Sequence, residues 1–357
     1  MKKVVFRTDA SIWIGSGHVM RCLVLATSLR EHNYQVSFAC LPQKGDMISY
    51  IQSRGFDVIK LTPPKVPVVP SSDKDYIAWL QRTPEEDAND FLRSVPDAQW
   101  VISDHYAIDE VWQTIVRSRQ KSLLMSIDDL VRVHSADLII DQTLGRKASD
   151  YQSKGTVLAG SNYALLDKKF SQLHSSGENR VKPDKSPKVL ISMGGIDAPN
   201  ASLKVLEALS GEVNASFTVL LSNRSPNYQR LRDWCQGRDK VTHIDFSENM
   251  AALMLEHDIA IGAPGSTSWE RACLGLPSIV IPLADNQKEI CAQLVNQGVA
   301  LQVNLENIES DLLNTYEQLL TEWTSLHQAS LQICDGKGVY RVTEKILELD
   351  YENSHCL

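Results

Sequence analysis

RTDASIWIGSGHVMRCLVLATSLREH, residues 7–32, decides how the rest of the chain is read. Just before it, KKVVF at residues 2–6 is a short β-branched run of the kind that forms a buried first strand. Within it, Val19, Cys22, Leu23, Leu25, Ala26 and Leu29 recur at helical spacing. The order is therefore strand, loop, helix, with Gly15, Ser16 and Gly17 in the loop and His18 at the helix mouth. Glycines let a backbone approach a ligand, and the free N–H groups of a first helical turn receive an anion. The helix dipole disfavours a second positive charge at that end, so His18 is expected to be a neutral imidazole able to act as a general base. A polar residue at a helix start also serves as a cap, and Gly-x-Gly-His lacks the third glycine of the dinucleotide fingerprint. Arg7, Asp9 and Arg21 tilt the reading towards a ligand site, because ionisable groups crowded around one loop are costly unless something satisfies them.

The chain has 357 residues, 43% hydrophobic and 22% charged, the composition of an ordinary soluble globular protein; its length suggests two domains, and the alternation of strands and helices makes the fold class α/β. A net charge of −8 argues against a nucleic-acid-binding surface. Seven scattered cysteines form no C-x-x-C pair and read as reduced core residues of a cytoplasmic protein. No signal peptide and no apolar stretch of transmembrane length is visible, so no membrane insertion is expected.

Strands at residues 36–39 and 56–61 enclose a helix at 47–54, giving a βαβαβ start. A proline-rich interruption, LTPPKVPVVPSSDKD at residues 61–75, leads into a helical stretch ending at Arg93 and reads as surface structure or a lid. The strand at residues 100–103 runs into Asp104-His105-Tyr106, at the carboxyl end where open parallel sheets bind ligands; Asp104 reads equally as a cap for the helix at 109–119. Asp128-Asp129 ends the next strand and reads as a turn or cap pair rather than a metal site. Residues 171–187 are polar and read as a linker between a first domain, 1–170, and a second, 188–338.

The second domain restarts with an apolar strand and Gly194-Gly195, a backbone cradle for phosphate. A further strand then enters Gly262-Ala263-Pro264-Gly265, and Ser266, Thr267 and Ser268 open a helix. Hydroxyls and a glycine turn at a helix N-terminus suit a diphosphate. Glu270 would repel that phosphate, so it is expected to accept from ribose hydroxyls, although a first-turn acid is also favoured by the dipole alone. Residues 339–357 read as an amphipathic helix packing across both domains.

With RTDASIWIGSGHVMRCLVLA, SDHYAIDEVW, SIDD, YALLDKKF, SMGGIDAPN, GSTSWERACLGLPSIVI, ADNQ and DGKGVYRV in view, nearly the whole chain resembles the UDP-sugar hydrolases of pseudaminic acid biosynthesis. That family is related to the lipid II-forming N-acetylglucosaminyltransferase. The resemblance implies two Rossmann-like domains of the GT-B type facing a central cleft, with the nucleotide on the C-terminal one. It implies hydrolysis of UDP-2,4-diacetamido-2,4,6-trideoxy-β-L-altrose, with His18 activating water at the anomeric carbon and UDP leaving with inversion. Gly17, Arg21 and Tyr106 would line the sugar side; Gly194, Gly195, Ser266, Thr267 and Glu270 would hold the nucleotide; Asn286 and Gln287 would lie near sugar or diphosphate. Neither metal nor cofactor is expected, the only partner expected is the small-molecule UDP-sugar, and the chain is expected to be a monomer. One departure stands out: Asp167 lies where the family usually carries arginine, with Lys168 and Lys169 beside it. A glycosyltransferase on the same fold would put an acceptor hydroxyl in place of water. A non-catalytic nucleotide-sugar binder would need no base, and His18 between Gly17 and Arg21 favours an enzyme.

Overall fold

A computed structural model describes residues 2–355, which divide into two compact units: residues 2–165 with 337–355, and residues 166–336. The first unit is built on seven parallel strands: β1 (Lys3–Thr8), β2 (Gln35–Cys40), β3 (Asp57–Lys60), β4 (Trp100–Asp104), β5 (Leu123–Ile127), β6 (Leu138–Asp141) and β7 (Thr156–Ala159). Their spatial order is β3-β2-β1-β4-β5-β6-β7. Alternate residues serve opposite faces. Val4, Phe6, Trp100 and Ile102 enter one apolar cluster, and Val5, Val101 and Leu124 another, so both faces of the sheet are covered. The order reverses between β1 and β4, and in a doubly wound sheet that reversal opens a crevice at the strands' carboxyl ends. The loop before His18 and the Asp104 turn lie there.

The second unit repeats the design with β8 (Lys188–Ser192), β9 (Ser216–Leu220), β10 (Val241–Ile244), β11 (Ile259–Gly262), β12 (Ser278–Val280) and β13 (Ala300–Gln302), ordered β10-β9-β8-β11-β12-β13 and all parallel. Its reversal falls between β8 and β11, whose ends carry Gly194-Gly195 and the Gly265 turn. A 26-residue helix, Ile308–Ile333, lays Leu312, Tyr316, Leu319, Trp323 and Leu326 against this sheet.

The structure departs from the sequence expectations at both ends of the second unit. Residues 171–187 are not all linker: a helix spans Lys168–Glu178, started by Asp167, whose carboxylate accepts from the Lys169 N–H at 2.9 Å. Its polar surface hides the helical period because only Phe170 and Gly177 of the helix are buried. The C-terminal helix, Gly338–His355, belongs to the first unit, where Val339, Val342 and Ile346 join the cluster containing Val19, Cys22 and Leu29. Asp350, buried in that unit, accepts from the Trp100 indole and the Gln99 amide, each at 3.0 Å, and from the Tyr34 hydroxyl. The boundary therefore follows the chain's return to the first sheet, which no local composition announces.

Candidate active site

At the crevice of the first unit, the helix Gly17–Glu31 begins right after Ser16, and His18 stands in its first turn, 8% exposed. His18 Nδ1 lies 2.5 Å from Asp104 Oδ1, while Arg21 donates to the same carboxylate through Nε at 2.6 Å and a terminal nitrogen at 2.7 Å. An ionised carboxylate only accepts, so the short contact places a proton on His18 Nδ1; in the neutral imidazole the lone pair is then on Nε2. Burial opposes the charge of Asp104, yet Arg21 and His18 hold its carboxyl well below the usual carboxylate range. The partner that Asp104 takes is thus this histidine and arginine, and Asp109 caps the helix at Glu110–Arg117 instead.

Asp129 joins the same network. Its Oδ2 accepts from Arg21 at 3.2 Å and from the Tyr106 hydroxyl at 3.1 Å. The Tyr106 ring stands edge-on to His18, centroids 4.7 Å apart. Burial and the Asp129 charge push the Tyr106 phenol up, keeping it neutral and donating. Asp128, by contrast, fulfils the turn expectation, accepting from the backbone N–H of Arg132 at 2.9 Å. Arg7 and Asp9 prove to be interior groups: Arg7 is clamped by Asp87 at 2.7 and 2.9 Å and touches Asp9 at 2.8 Å, all fully or almost fully buried. Of the four ionisable groups read around the loop, His18 and Arg21 share the Asp104 carboxylate at the crevice, and the other two are buried together beside it.

In the second unit, Gly194 has φ +85°, a conformation that favours glycine, and Gly195 follows in the same turn. The next helix, Ala201–Leu209, has its first donors occupied: Asp197 accepts from the N–H groups of Ala201 and Ser202 at 2.8 and 2.9 Å. That helix mouth is spoken for by a carboxylate. The helix Ser266–Cys273 differs, because its N-cap is Gly265, which has no side chain to occupy the terminus. A Cβ added at Gly17, Gly194 or Gly265 would meet nothing within 4 Å, so protein packing does not demand glycine there and the space is open to a ligand.

Ser266 and Thr267 open that helix half-buried, and Arg271, four residues after Thr267, folds back beneath them. Its guanidinium donates to Ala263 O at 3.2 Å, Ser268 Oγ at 3.0 Å and Thr267 Oγ1 at 3.4 Å. Burial lowers its pKa to about 10, which still leaves it charged at neutral pH. Glu270 Oε2 is sealed from solvent without a hydrogen-bond partner among the described residues. Burial pushes its carboxyl up to about 7; Arg271 opposes the shift, and Asp167 adds to it. Gln287 spends its amide oxygen on the Leu283 N–H at 2.8 Å, and Asn286 sits in the same short helical turn with its side chain outside the described residues. Lys169 donates to Glu248 O at 3.3 Å.

Asp104, Asp129 and Arg271 are the residues that sequence reasoning did not commit to the site. Asp104 had a visible signal, a carboxylate at a strand end beside a histidine-bearing loop. Arg271 had one in its i, i+4 relation to Thr267. Asp129 had none, since its neighbour Asp128 explains the turn on its own. Among the described residues no three His, Cys, Asp or Glu side chains are grouped to hold a metal ion, and no helix is long and apolar enough to cross a membrane.

Two doubly wound parallel units, each with a glycine-bearing turn at its switch point, define the GT-B fold class. Residues 193–345 match the Glycosyltransferase family 28 C-terminal domain. The chain is 28% identical to the UDP-2,4-diacetamido-2,4,6-trideoxy-beta-L-altropyranose hydrolase of Campylobacter jejuni over 83% of its own length and 97% of that protein. It is 27% identical, over 97% of its length, to an uncharacterized protein of Methanocaldococcus jannaschii, of which it spans 66%. The crystal structure of Acinetobacter baumannii MurG superposes with a TM-score of 0.64 over 98% of this chain and all of the other, at 14% identity. That likeness establishes the fold.

Proposed function

We propose that the chain hydrolyses a UDP-linked 2,4-diacetamido-2,4,6-trideoxyhexose, the substrate named for the Campylobacter relative, to the free sugar and UDP. The observation that carries this reading is the His18–Asp104 contact, which fixes the imidazole with Nε2 free to take a proton. Water attacks the anomeric carbon as Nε2 removes its proton; the bond from that carbon to the diphosphate oxygen breaks, and UDP leaves with the bonding pair, inverting the centre. Charge on the departing diphosphate is met by the mouth of the helix Ser266–Cys273 and by the hydroxyls of Ser266 and Thr267, the latter braced by the Arg271 guanidinium. Gly194 leaves backbone room for the nucleotide, with Gly195 next to it in the chain, and half-buried Glu270, whose Oε2 has no hydrogen-bond partner among the described residues, suits the ribose hydroxyls as donors. This account needs no metal.

The test is UDP release from UDP-2,4-diacetamido-2,4,6-trideoxy-β-L-altrose without acceptor and with chelator present. Wild type is expected to turn over; His18→Ala is expected to lose about 10²–10⁴-fold in kcat while still binding UDP. Asp104→Asn should fall in the same range, because a neutral amide no longer fixes the proton on Nδ1. A wild type that binds UDP but leaves the sugar nucleotide intact until an acceptor alcohol is added would replace hydrolysis by glycosyl transfer. Loss of turnover on chelation would overturn the metal-free mechanism.

A further inference from the structure

One carboxylate oxygen of the network that joins Asp129 to Arg21 and Tyr106 has no donor among the described residues. Asp129 uses Oδ2 for Tyr106 and Arg21, whereas its Oδ1 is shut off from solvent and has no hydrogen-bond partner among the described residues. A buried carboxylate oxygen without a donor is costly and calls for a group that the folded chain does not supply. Next to it stand aromatic faces. The Tyr76 ring lies 4.9 Å from Tyr106, and Trp79, buried behind, lies 4.9 Å from Tyr76 and 5.8 Å from Tyr106. Tyr76 is itself half-buried, and its phenol is pushed up by burial and by the Asp129 charge, so the two side chains share one neighbourhood.

Tyr76 and Trp79 come from the insertion after β3, which is held firmly. Asp75 caps the helix Tyr76–Leu80, Gln81 exchanges two 2.7 Å hydrogen bonds with the backbone of Val68, and Arg82 reaches Asp87 and Asp90 at 2.9 and 3.0 Å. Aromatic faces favour methyl groups, and the lone carboxylate oxygen favours a polar hydrogen. A hydroxyl answers only the second, and a deoxy methyl only the first. An acylamino group answers both at once.

Resting on the hydrolase reading above, we infer that Asp129 is a specificity-determining residue: its Oδ1 accepts the N–H of an acylamino substituent on the sugar, whose acyl methyl lies against Tyr76 and Tyr106. The insertion thereby becomes the wall that selects N-acylated sugars.

The experiment compares kcat/KM for two UDP-sugars that differ only in carrying an N-acetyl or an O-acetyl group at the same carbon, which removes the N–H and keeps the shape. Wild type is expected to favour the amide at least about tenfold, as befits a hydrogen bond to a charged acceptor. In Asp129→Asn the amide oxygen takes the Arg21 and Tyr106 donors, so its NH₂ group falls where Oδ1 stood. The preference should then collapse to about one or invert. Tyr76→Ala is expected to lower both substrates while keeping the amide preference, and UDP affinity should stay unchanged in both variants, which reports that they fold. Equal losses on both substrates in Asp129→Asn, or no preference in wild type, would overturn the role of Asp129. Hydrolysis of neither substrate by wild type would instead sink the proposed activity, and the same ratio read from Kd would decide the role of Asp129.

Discussion

The Glu270 carboxyl is displaced to about 7 because burial disfavours its charge, with Asp167 adding to the effect and Arg271 opposing it. A carboxyl raised above its unfolded value binds a proton more tightly in the folded state. Its contribution to stability is therefore present below the ordinary carboxyl range, is lost progressively as pH rises, and is gone above about 7. Glu270→Gln, which cannot ionise, should match wild type near pH 4 and exceed it by about 1–3 kcal/mol at pH 8. Chemical denaturation at the two pH values reads the difference; a gap that fails to widen would mean that the carboxylate finds a partner when it ionises. Elsewhere at this scale, legibility turned on side-chain direction. His18, Arg21 and Tyr106 were readable because each sits beside a glycine loop or at a strand end. Adjacent residues leaving a strand point opposite ways, so Asp128 caps its turn while Asp129 reaches Arg21, and a sequence cannot say which of the pair does which.

Single positions also decide how whole elements dock. A Cβ on Gly338 would lie 2.2 Å from Ala164 O and 2.6 Å from Ala164 N, against backbone that cannot rotate aside. Gly338→Ala should therefore push the start of the C-terminal helix off the first unit, at a cost of about 2–4 kcal/mol. The expected signature is a lower denaturation midpoint together with faster amide exchange in residues 339–350; unchanged exchange there would show that the helix start adapts freely. The helix Lys168–Glu178 was missed for a related reason. Gly177 packs against the backbone of Leu274, where a Cβ would lie 2.8 Å away, so backbone contact replaces the apolar stripe that usually betrays an amphipathic helix. Asp167, read only as a departure from a basic position, proves to be the N-cap of that helix, a role that shows once the helix after it is seen.

At the scale of the molecule, the first unit depends on chain that returns to it after the second is complete. Removing residues 337–357 would strip Val339, Val342 and Ile346 from its core and leave Trp100 and Tyr34 without Asp350. At about 1.5–3 kcal/mol for each buried aliphatic side chain, the loss approaches the whole stability of an ordinary domain. A chain ending at Gly336 should therefore have a protease-sensitive first unit while residues 166–336 stay resistant, as limited proteolysis with mass analysis would read. Equal resistance of both units would show that the first sheet holds without its C-terminal helix.

Consecutive residues alone were enough for the class of fold, and they marked two candidate centres at glycine turns and helix starts. Strand-loop-helix periodicity, glycine turns and helix starts are local properties written in consecutive residues, and they sufficed for the parallel sheets and for His18, Ser266 and Thr267. Folding alone settled which carboxylate contacts His18, that Asp197 occupies one helix mouth while another stands open, that Asp129 keeps a spare acceptor, and that the last helix packs onto the first unit. Apart from the Asp197 cap, which spans only four to five residues, each of these depends on residues far apart in the chain. The burial that raises Glu270 and the pairing that lowers Asp104 arise only when folding brings those distant side chains together.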